Sequence, residues 1–193
     1  MQFDADEFDA LQFDPESCTE DECWAAIPYF EGSRKALTFN HLGGLAFERN
    51  DFVKASLLAD QAAAEWQRLG HEDEAAKCFS NAGACLRSAG EIEPAIDFYQ
   101  KAAKISSESG NDEFYSKTNY ILGCIFSESF QREKSLECFE NSMHAAENTG
   151  SNMLMTDAYE GIGVAYLSLG EPEIAMSFLR KGVECCAEEG KIK

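Results

Sequence analysis

The side chains most able to bind a metal or act as nucleophiles are eight cysteines and three histidines. No two cysteines form a C-x-x-C pair, and His41, His71 and His144 are far apart in the sequence. Structural zinc sites use closely spaced ligand pairs, so we expect no metal and no cofactor. Most of the cysteines fall where apolar residues recur, which predicts that they pack as small hydrophobic side chains.

Motifs for catalysis are also missing from the sequence. We find no P-loop, no dinucleotide-binding glycine pattern, no G-x-S-x-G and no H-E-x-x-H motif. The acidic cluster Glu184, Glu188 and Glu189 is typical of a solvated helix face, whereas paired catalytic carboxylates need a cleft. We therefore expect no catalytic residues and no enzymatic activity.

The charge balance excludes several classes of partner. The chain has 35 Asp and Glu against 16 Lys and Arg, which gives a net charge of −19 and a pI near 4.4. Such a chain repels phosphate backbones and anionic lipid, so we expect no nucleic-acid binding. No apolar run approaches the ~20 residues of a membrane span, and the N-terminus lacks signal-peptide features. These observations predict a cytoplasmic protein without membrane insertion.

The elements that position these side chains are predicted by an internal repeat of forty residues. Three columns of mostly small residues share that period: Gly43, Gly83, Gly123 and Gly163; Gly70, Gly110, Gly150 and Gly190; and Ala55, Ala95, Ser135 and Ala175. Repeats of this length are typical of solenoids. We predict four copies, at 33–70, 71–110, 111–150 and 151–190, after a tail at 1–32.

Each copy is predicted to contain two amphipathic helices. In the second copy, apolar residues recur every three or four positions on both sides of the break at Gly90. The small columns allow helices to approach closely, and larger side chains fill the remaining space. One such column is Ala59, Tyr99, Phe139 and Leu179. The third copy lacks the turn glycine, at Phe130, and has serines at 135 and 142, so we expect looser packing there.

These residues resemble the tetratricopeptide repeat family. Residues 159–171, followed by Ala175 and Gly182, are similar to the family's helix pair, as are residues 81–102. The common family period is 34 residues, and forty is similar to a branch with longer helices in spindle-orientation adaptors and bacterial signalling regulators, and more loosely in soluble vesicle-fusion adaptors. The resemblance implies an all-α, right-handed α-solenoid of four helix-turn-helix repeats, with eight helices and an acidic tail.

The tail differs from the repeats in composition. Residues 1–31 contain ten acidic residues and no Lys or Arg, and Phe-Asp pairs begin at Phe3, Phe8 and Phe13. Such alternation is typical of segments that are disordered alone and fold against a partner. A solubilising tail and a partial cap over the first helix pair are the alternatives.

The family resemblance also implies a concave groove lined by the first helix of each repeat. On that basis the candidate partner-binding residues are Lys77, Arg87, Lys117, Tyr120, Asn40, Phe47 and Leu167. Cations on one face of an acidic protein predict a non-enzymatic adaptor whose groove binds an acidic or amphipathic peptide or helix of a partner. The chain's own N-terminal tail is a second possible occupant, in cis.

A structural role is the alternative to the adaptor. In that case the chain is a subunit of a larger intracellular complex and binds through its convex face and chain ends. Met176, Leu179, Val183 and Cys186 form an apolar side of the last helix that no later repeat of this sequence covers. This pattern also predicts a possible oligomer through the C-terminal helix.

Overall fold

The computed structural model describes residues 14–189, and every regular element in that range is helical. The α-helices are α1 (Glu20–Ala26), α2 (Ser33–Glu48), α3 (Phe52–Arg68), α4 (Glu72–Ser88), α5 (Ile92–Ser109), α6 (Asp112–Glu128), α7 (Arg132–Thr149), α8 (Asn152–Leu169) and α9 (Pro172–Glu189), with short 3-10 helices at Pro15–Ser17 and Ile27–Tyr29. The predicted all-α solenoid of helix pairs is confirmed. The helix bounds fall within the four predicted repeat ranges, whose edges remain predictions.

The turns inside the repeats keep one backbone geometry despite different residues. Gly90 and Gly170 have φ angles of 82° and 85°, in the left-handed region. Asn50 and Phe130 occupy the same position in the other two copies, with φ angles of 61° and 58°. A residue other than glycine is disfavoured there by roughly 1–2 kcal/mol. The third copy therefore forms its turn under local strain, and the Phe130 side chain is 80% exposed.

Helix α1 is an addition to the eight helices predicted from the repeat. Thr19 and Glu22 form a capping box, a start signal that the repeat period does not contain. Glu20 then pairs with Arg49 and, at 2.9 Å, with Lys54. Hydrogen bonds from Lys54 and Arg49 lower the pKa of Glu20 to about 2. These contacts hold α1 against the start of the repeats, whereas the Phe-Asp pairs at 3–4 and 8–9 lie outside the described residues.

The chain divides into two compact units, residues 1–98 and 99–193, with the division inside α5. In the first unit, α2 packs against α3, and α3 packs against α4. Gly43 lies at the α2–α3 crossing, where an added Cβ would be in ordinary van der Waals contact, at 3.5 Å, with the Ala55 carbonyl oxygen and with Leu58 Cβ.

In the second unit, the ring of Phe139 fills the space among α6, α7 and α8. Phe139 is 2% exposed and packs in one cluster with Ile162 and Ala165. A Cβ added at Gly123 or Gly161 would overlap this ring. The two glycines therefore provide the room that the phenylalanine occupies.

The serines of the third copy are well packed, contrary to the expectation of looser packing. Ser135 is buried and donates a hydrogen bond from its Oγ to the Gly123 carbonyl at 2.9 Å. Ser116 donates to the Ser142 carbonyl at 2.9 Å, and the two hydroxyl oxygens lie 3.1 Å apart. Hydrogen bonds between helices replace the apolar contacts that alanines would make.

Candidate functional site

The first unit contains an open cavity of about 450 Å³ between α2 and α4. Its buried floor consists of small residues: Gly43, Ala55, Ala59 and Cys85. Its rim carries exposed or half-exposed side chains, among them Asn40, Phe47 and Asn81. An apolar floor with a few polar groups at the rim is the usual composition of a ligand pocket.

Two of the predicted partner-binding residues, Asn40 and Phe47, line this cavity. Asn40 is half-buried, and its Oδ1 accepts a hydrogen bond from the Cys78 thiol at 3.3 Å. Phe47 is 43% exposed, and its ring meets that of Phe52 edge to face at 5.2 Å. Both side chains are thus held by intramolecular contacts while they face the cavity.

Lys77 and Arg87 lie on α4 but are not among the residues that line the cavity. Lys77 is exposed and precedes the rim residue Asn81 by one helical turn. Arg87 is half-buried in the last turn of α4 and follows the rim residue Ala84 by three positions. Residues three or four apart on a helix are neighbours, so both cations lie within one turn of the rim.

In the second unit, Lys117 and Tyr120 line a cavity of about 260 Å³ that also includes Leu154 and Asp157. Lys117 forms an ion pair with Glu113, with 2.5 Å between Nζ and Oε1. This hydrogen bond lowers the pKa of the Glu113 carboxyl group. The charge of Lys117 is therefore balanced locally.

Acidic groups dominate the surroundings of Tyr120. Burial raises the pKa of Tyr120 to about 12, with further contributions from Cys124, Glu160 and Asp157. The pKa of Asp157 is also raised, by burial and by the Glu160 charge. We call the surface around Lys117, Tyr120 and Asp157 the second groove, and the surface around the first cavity the first groove. The second groove is thus negative, whereas the sequence predicted a cationic surface. Leu167 lies on the last turn of α8, 50% exposed, and does not line this cavity.

The sequence prediction missed the floor of the first cavity and its rim residue Asn81. The available signal was the column Ala59, Tyr99, Phe139 and Leu179, in which only the first member is small. A small residue in a column of large side chains indicates a gap in the packing unless another group fills it.

A third cavity, of about 550 Å³, lies on the second unit among α5, α6 and α7. Charged side chains surround it, including Lys104, Glu108, Lys134 and Glu137. The Lys134 ammonium lies 5.4 Å from the centre of the Phe126 ring. This mixed, exposed surface has no cluster of like charges, so it offers a convenient control for experiments on the grooves.

Three of the eight cysteines are buried, four are partly buried, and Cys186 is exposed. Burial raises the pKa of the Cys78, Cys85 and Cys138 thiols, that of Cys138 to about 11, and burial is also the main reason that the pKa of Cys23 rises to about 11. Within residues 14–189, no three His, Cys, Asp or Glu side chains are arranged to hold a metal ion. None of the helices described is long and apolar enough to cross a membrane.

A family model described as a tetratricopeptide repeat matches residues 156–186, which span most of α8 and α9. No curated protein sequence matches the chain. Among solved structures, BtubC (BKLC) from P. vanneervenii has a TM-score of 0.72 at 14% identity, over 89% of this chain and 73% of that one. The nearly identical TPR-like repeats of a Podosopora anserina putative kinesin light chain have a TM-score of 0.69 at 12% identity, over 88% and 84%.

A third similar structure contains a bound peptide. It is the Rap conjugation gene regulator of the plasmid pLS20 in complex with the Phr* peptide, with a TM-score of 0.61 at 17% identity. The alignment covers 86% of this chain and 46% of that one. At identities of 12–17%, these similarities show a shared fold and nothing more. The tetratricopeptide repeat model thus matches one helix pair of the chain, and the solved structures share the fold of the chain as a whole.

Proposed function

We propose that this protein is a non-enzymatic adaptor that binds an acidic or amphipathic peptide segment of a partner, with the cavity between α2 and α4 as the centre of the site. The observation that carries this proposal is the combination of an apolar floor, an amide-bearing rim and two cations on α4. A peptide laid along this groove would place an apolar side chain in the cavity. Its carboxylates would then meet Lys77 and Arg87.

The two grooves are proposed to contribute differently to binding. Asp157 and Glu160 make the second groove unfavourable for an acidic side chain, and Lys117 is already paired with Glu113. Tyr120 and Leu167 would therefore offer apolar contacts rather than charge recognition. The peptide complex of the Rap regulator supports peptide binding by a protein of this fold.

Capture of partners from a matched cell lysate tests this proposal. The test variant is Lys77→Glu with Arg87→Glu, and the matched control is Lys104→Glu with Lys134→Glu, which makes the same charge change on another face. Circular dichroism first establishes equal helicity. We expect one or a few proteins to be lost with the test variant and retained with the control. Retention of the same proteins by both variants would contradict the proposal.

Exposed apolar residues on α9 favour a second candidate function, that of a structural subunit of a larger complex. Met176 is 50% exposed and Val183 is 70% exposed, and Leu179 is half-buried. Single exposed apolar residues are ordinary, but three on one side of a helix indicate a contact surface. Leu179→Ser with Val183→Ser would then reduce the assembly size measured by light scattering. An unchanged size would exclude self-association through this surface.

A further inference from the structure

The two units differ in how they fill the place where three helices meet. Ala59 in the first unit corresponds to Phe139 in the second, eighty residues later, and Gly43 corresponds to Gly123. In the second unit, the Phe139 ring occupies the space beside Gly123. In the first unit, Gly43 and Ala59 line the cavity of about 450 Å³. The cavity therefore overlaps the space that a phenylalanine ring fills in the other unit, although Asn81 lines it where the second unit has Gly161.

This internal comparison indicates the kind of side chain that the cavity accepts. The second unit shows that the same helix pair, at the same repeat position, accommodates a buried phenylalanine. The floor residues of the first unit, including Ala55 and Cys85, are buried and offer an aromatic ring only apolar contacts. Burying an aromatic ring against such a floor is favourable because it removes apolar surface from water.

The chain itself carries phenylalanines within reach of the cavity. Asp14 and Leu37 line a common cavity, so residues 1–13 join the described part of the chain beside α2. From Leu37 to the rim residue Gly44 is seven residues of helix, roughly 10 Å. Phe8 precedes Asp14 by six residues, a span of up to roughly 20 Å. Phe13, next to Asp14, lacks that reach.

The acidic charge of residues 1–13 also complements the surroundings of the cavity. Phe8 is flanked by Glu7 and Asp9, and residues 1–13 contain no Lys or Arg. Lys77 is exposed one turn from the rim, and the Asn81 amide is exposed at the rim itself. Carboxylates beside the bound ring would thus lie near an ammonium group and an amide.

We propose that the cavity over Ala59 is a phenylalanine pocket and that Phe8 of the same chain occupies it. The proposal rests on the proposed function, because it makes the chain's own segment a competitor for the partner peptide at that groove. A tethered segment has a high effective concentration, so the partner must displace it. Partner binding is then weaker than the groove alone would allow.

Binding of a synthetic peptide with the sequence of residues 1–13 to the full chain tests the proposal. The variants are Phe8→Ala, its matched control Phe13→Ala, and Ala59→Phe, whose ring is added to the floor of the pocket. We expect Phe8→Ala to bind the peptide roughly tenfold more tightly than the wild type and Phe13→Ala, because its pocket has lost the competitor. Ala59→Phe should not bind it.

Equal affinity of the wild type and Phe8→Ala would overturn the assignment of Phe8. Binding to Ala59→Phe that matches the wild type would overturn the pocket. If Ala59→Phe loses helicity, Ala59→Leu replaces it. Amide hydrogen exchange of residues 40–48 is a second measurement, and we expect this exchange to be faster in Phe8→Ala than in Phe13→Ala. If the peptide-binding results contradict this proposal while partner capture still depends on Lys77 and Arg87, the adaptor function is supported and the assignment of Phe8 to the pocket is wrong.

Discussion

The first and second units use the same repeat position in opposite ways. In the second unit, Phe139 lies in the core between Gly123 and Gly161, and it does not line the nearby cavity of about 260 Å³. In the first unit, Ala59 leaves a cavity of about 450 Å³ in the groove. The side chain at this position thus contributes to whether a helix crossing is filled or leaves an open cavity. A binding pocket in a repeat protein can arise simply by loss of a core residue.

The electrostatic contrast follows the same division. The first groove has Lys77 and Arg87 on α4 beside a neutral cavity. In the second groove, Asp157 and Glu160 lie close enough to raise the pKa of Tyr120. Under the proposed function, an acidic segment is therefore expected at the first groove rather than at the second.

The largest effect is expected from Phe139→Ala, which would make the second unit resemble the first. Removing a buried aromatic ring from a tight crossing should lower the free energy of unfolding by about 3–5 kcal/mol, measured by urea denaturation. Phe47→Ala is the matched control, because Phe47 is 43% exposed and should cost less than about 1.5 kcal/mol. Similar losses for the two variants would contradict the core role of Phe139.

Gly161→Ala should also destabilise the second unit, because the new methyl group overlaps the Phe139 ring. We expect a loss of about 1–3 kcal/mol in the free energy of unfolding. At Gly44 in the first unit, a Cβ meets nothing within 4 Å. Gly44→Ala should therefore stabilise its helix by roughly 0.5–1 kcal/mol. If both substitutions changed the free energy of unfolding in the same direction, the space around these glycines would not distinguish the two units.

Phe130→Gly tests the strained turn of the second unit. Glycine adopts a φ of 58° without steric cost, so the free energy of unfolding should rise by about 1 kcal/mol. Gly90→Ala, at the equivalent turn of the second repeat, should lower it by a similar amount. Thermal denaturation of both variants measures the difference, and a loss of stability in Phe130→Gly would be the contrary result.

The smallest expected effect is that of Asp157→Asn, which probes the acidic groove. The folded protein raises the pKa of Asp157 above its ordinary value of 3.8. The ionised form is therefore disfavoured in the folded state, and stability from this group rises as the pH falls through the raised pKa. Asp157→Asn should stabilise the protein at pH 7 by less than about 1 kcal/mol, and the gain should vanish below about pH 3.8.

Glu113→Gln provides a control of opposite sign for the same groove. The hydrogen bond from Lys117 lowers the pKa of Glu113 in the folded protein. Its contribution to stability is present above the unfolded pKa and is lost as the pH falls through the folded one. Glu113→Gln should thus be destabilising at pH 7. Urea denaturation at pH 7 and below about pH 3.8 would measure the free energy of unfolding of Asp157→Asn and Glu113→Gln. If both substitutions changed that free energy in the same direction at pH 7, the assigned charge environment would be contradicted.

Much of the fold could be predicted from the sequence because the repeat specifies it locally. The glycine columns and the three-to-four residue spacing of apolar side chains predicted the helix pairs from α2 to α9. Helix α1 was missed because it belongs to no repeat, although the Thr19–Glu22 capping box was visible. The residues that line the site were partly predicted, as Asn40 and Phe47 show. The charge around Lys117 was not predicted, although Glu113 precedes it by four residues in a predicted helix and residues at that spacing are neighbours.

The sequence by itself determined the repeat period, the helical class and the positions of the small residues, since these depend on spacing along the chain. Only the tertiary structure decided what the small residues mean. Gly43 and Gly123 are identical in sequence position within the repeat, yet one borders a cavity and the other a phenylalanine ring. The physical reason is that packing depends on which side chain crosses from the neighbouring helix, and that side chain is Ala59 in one unit and Phe139 in the other.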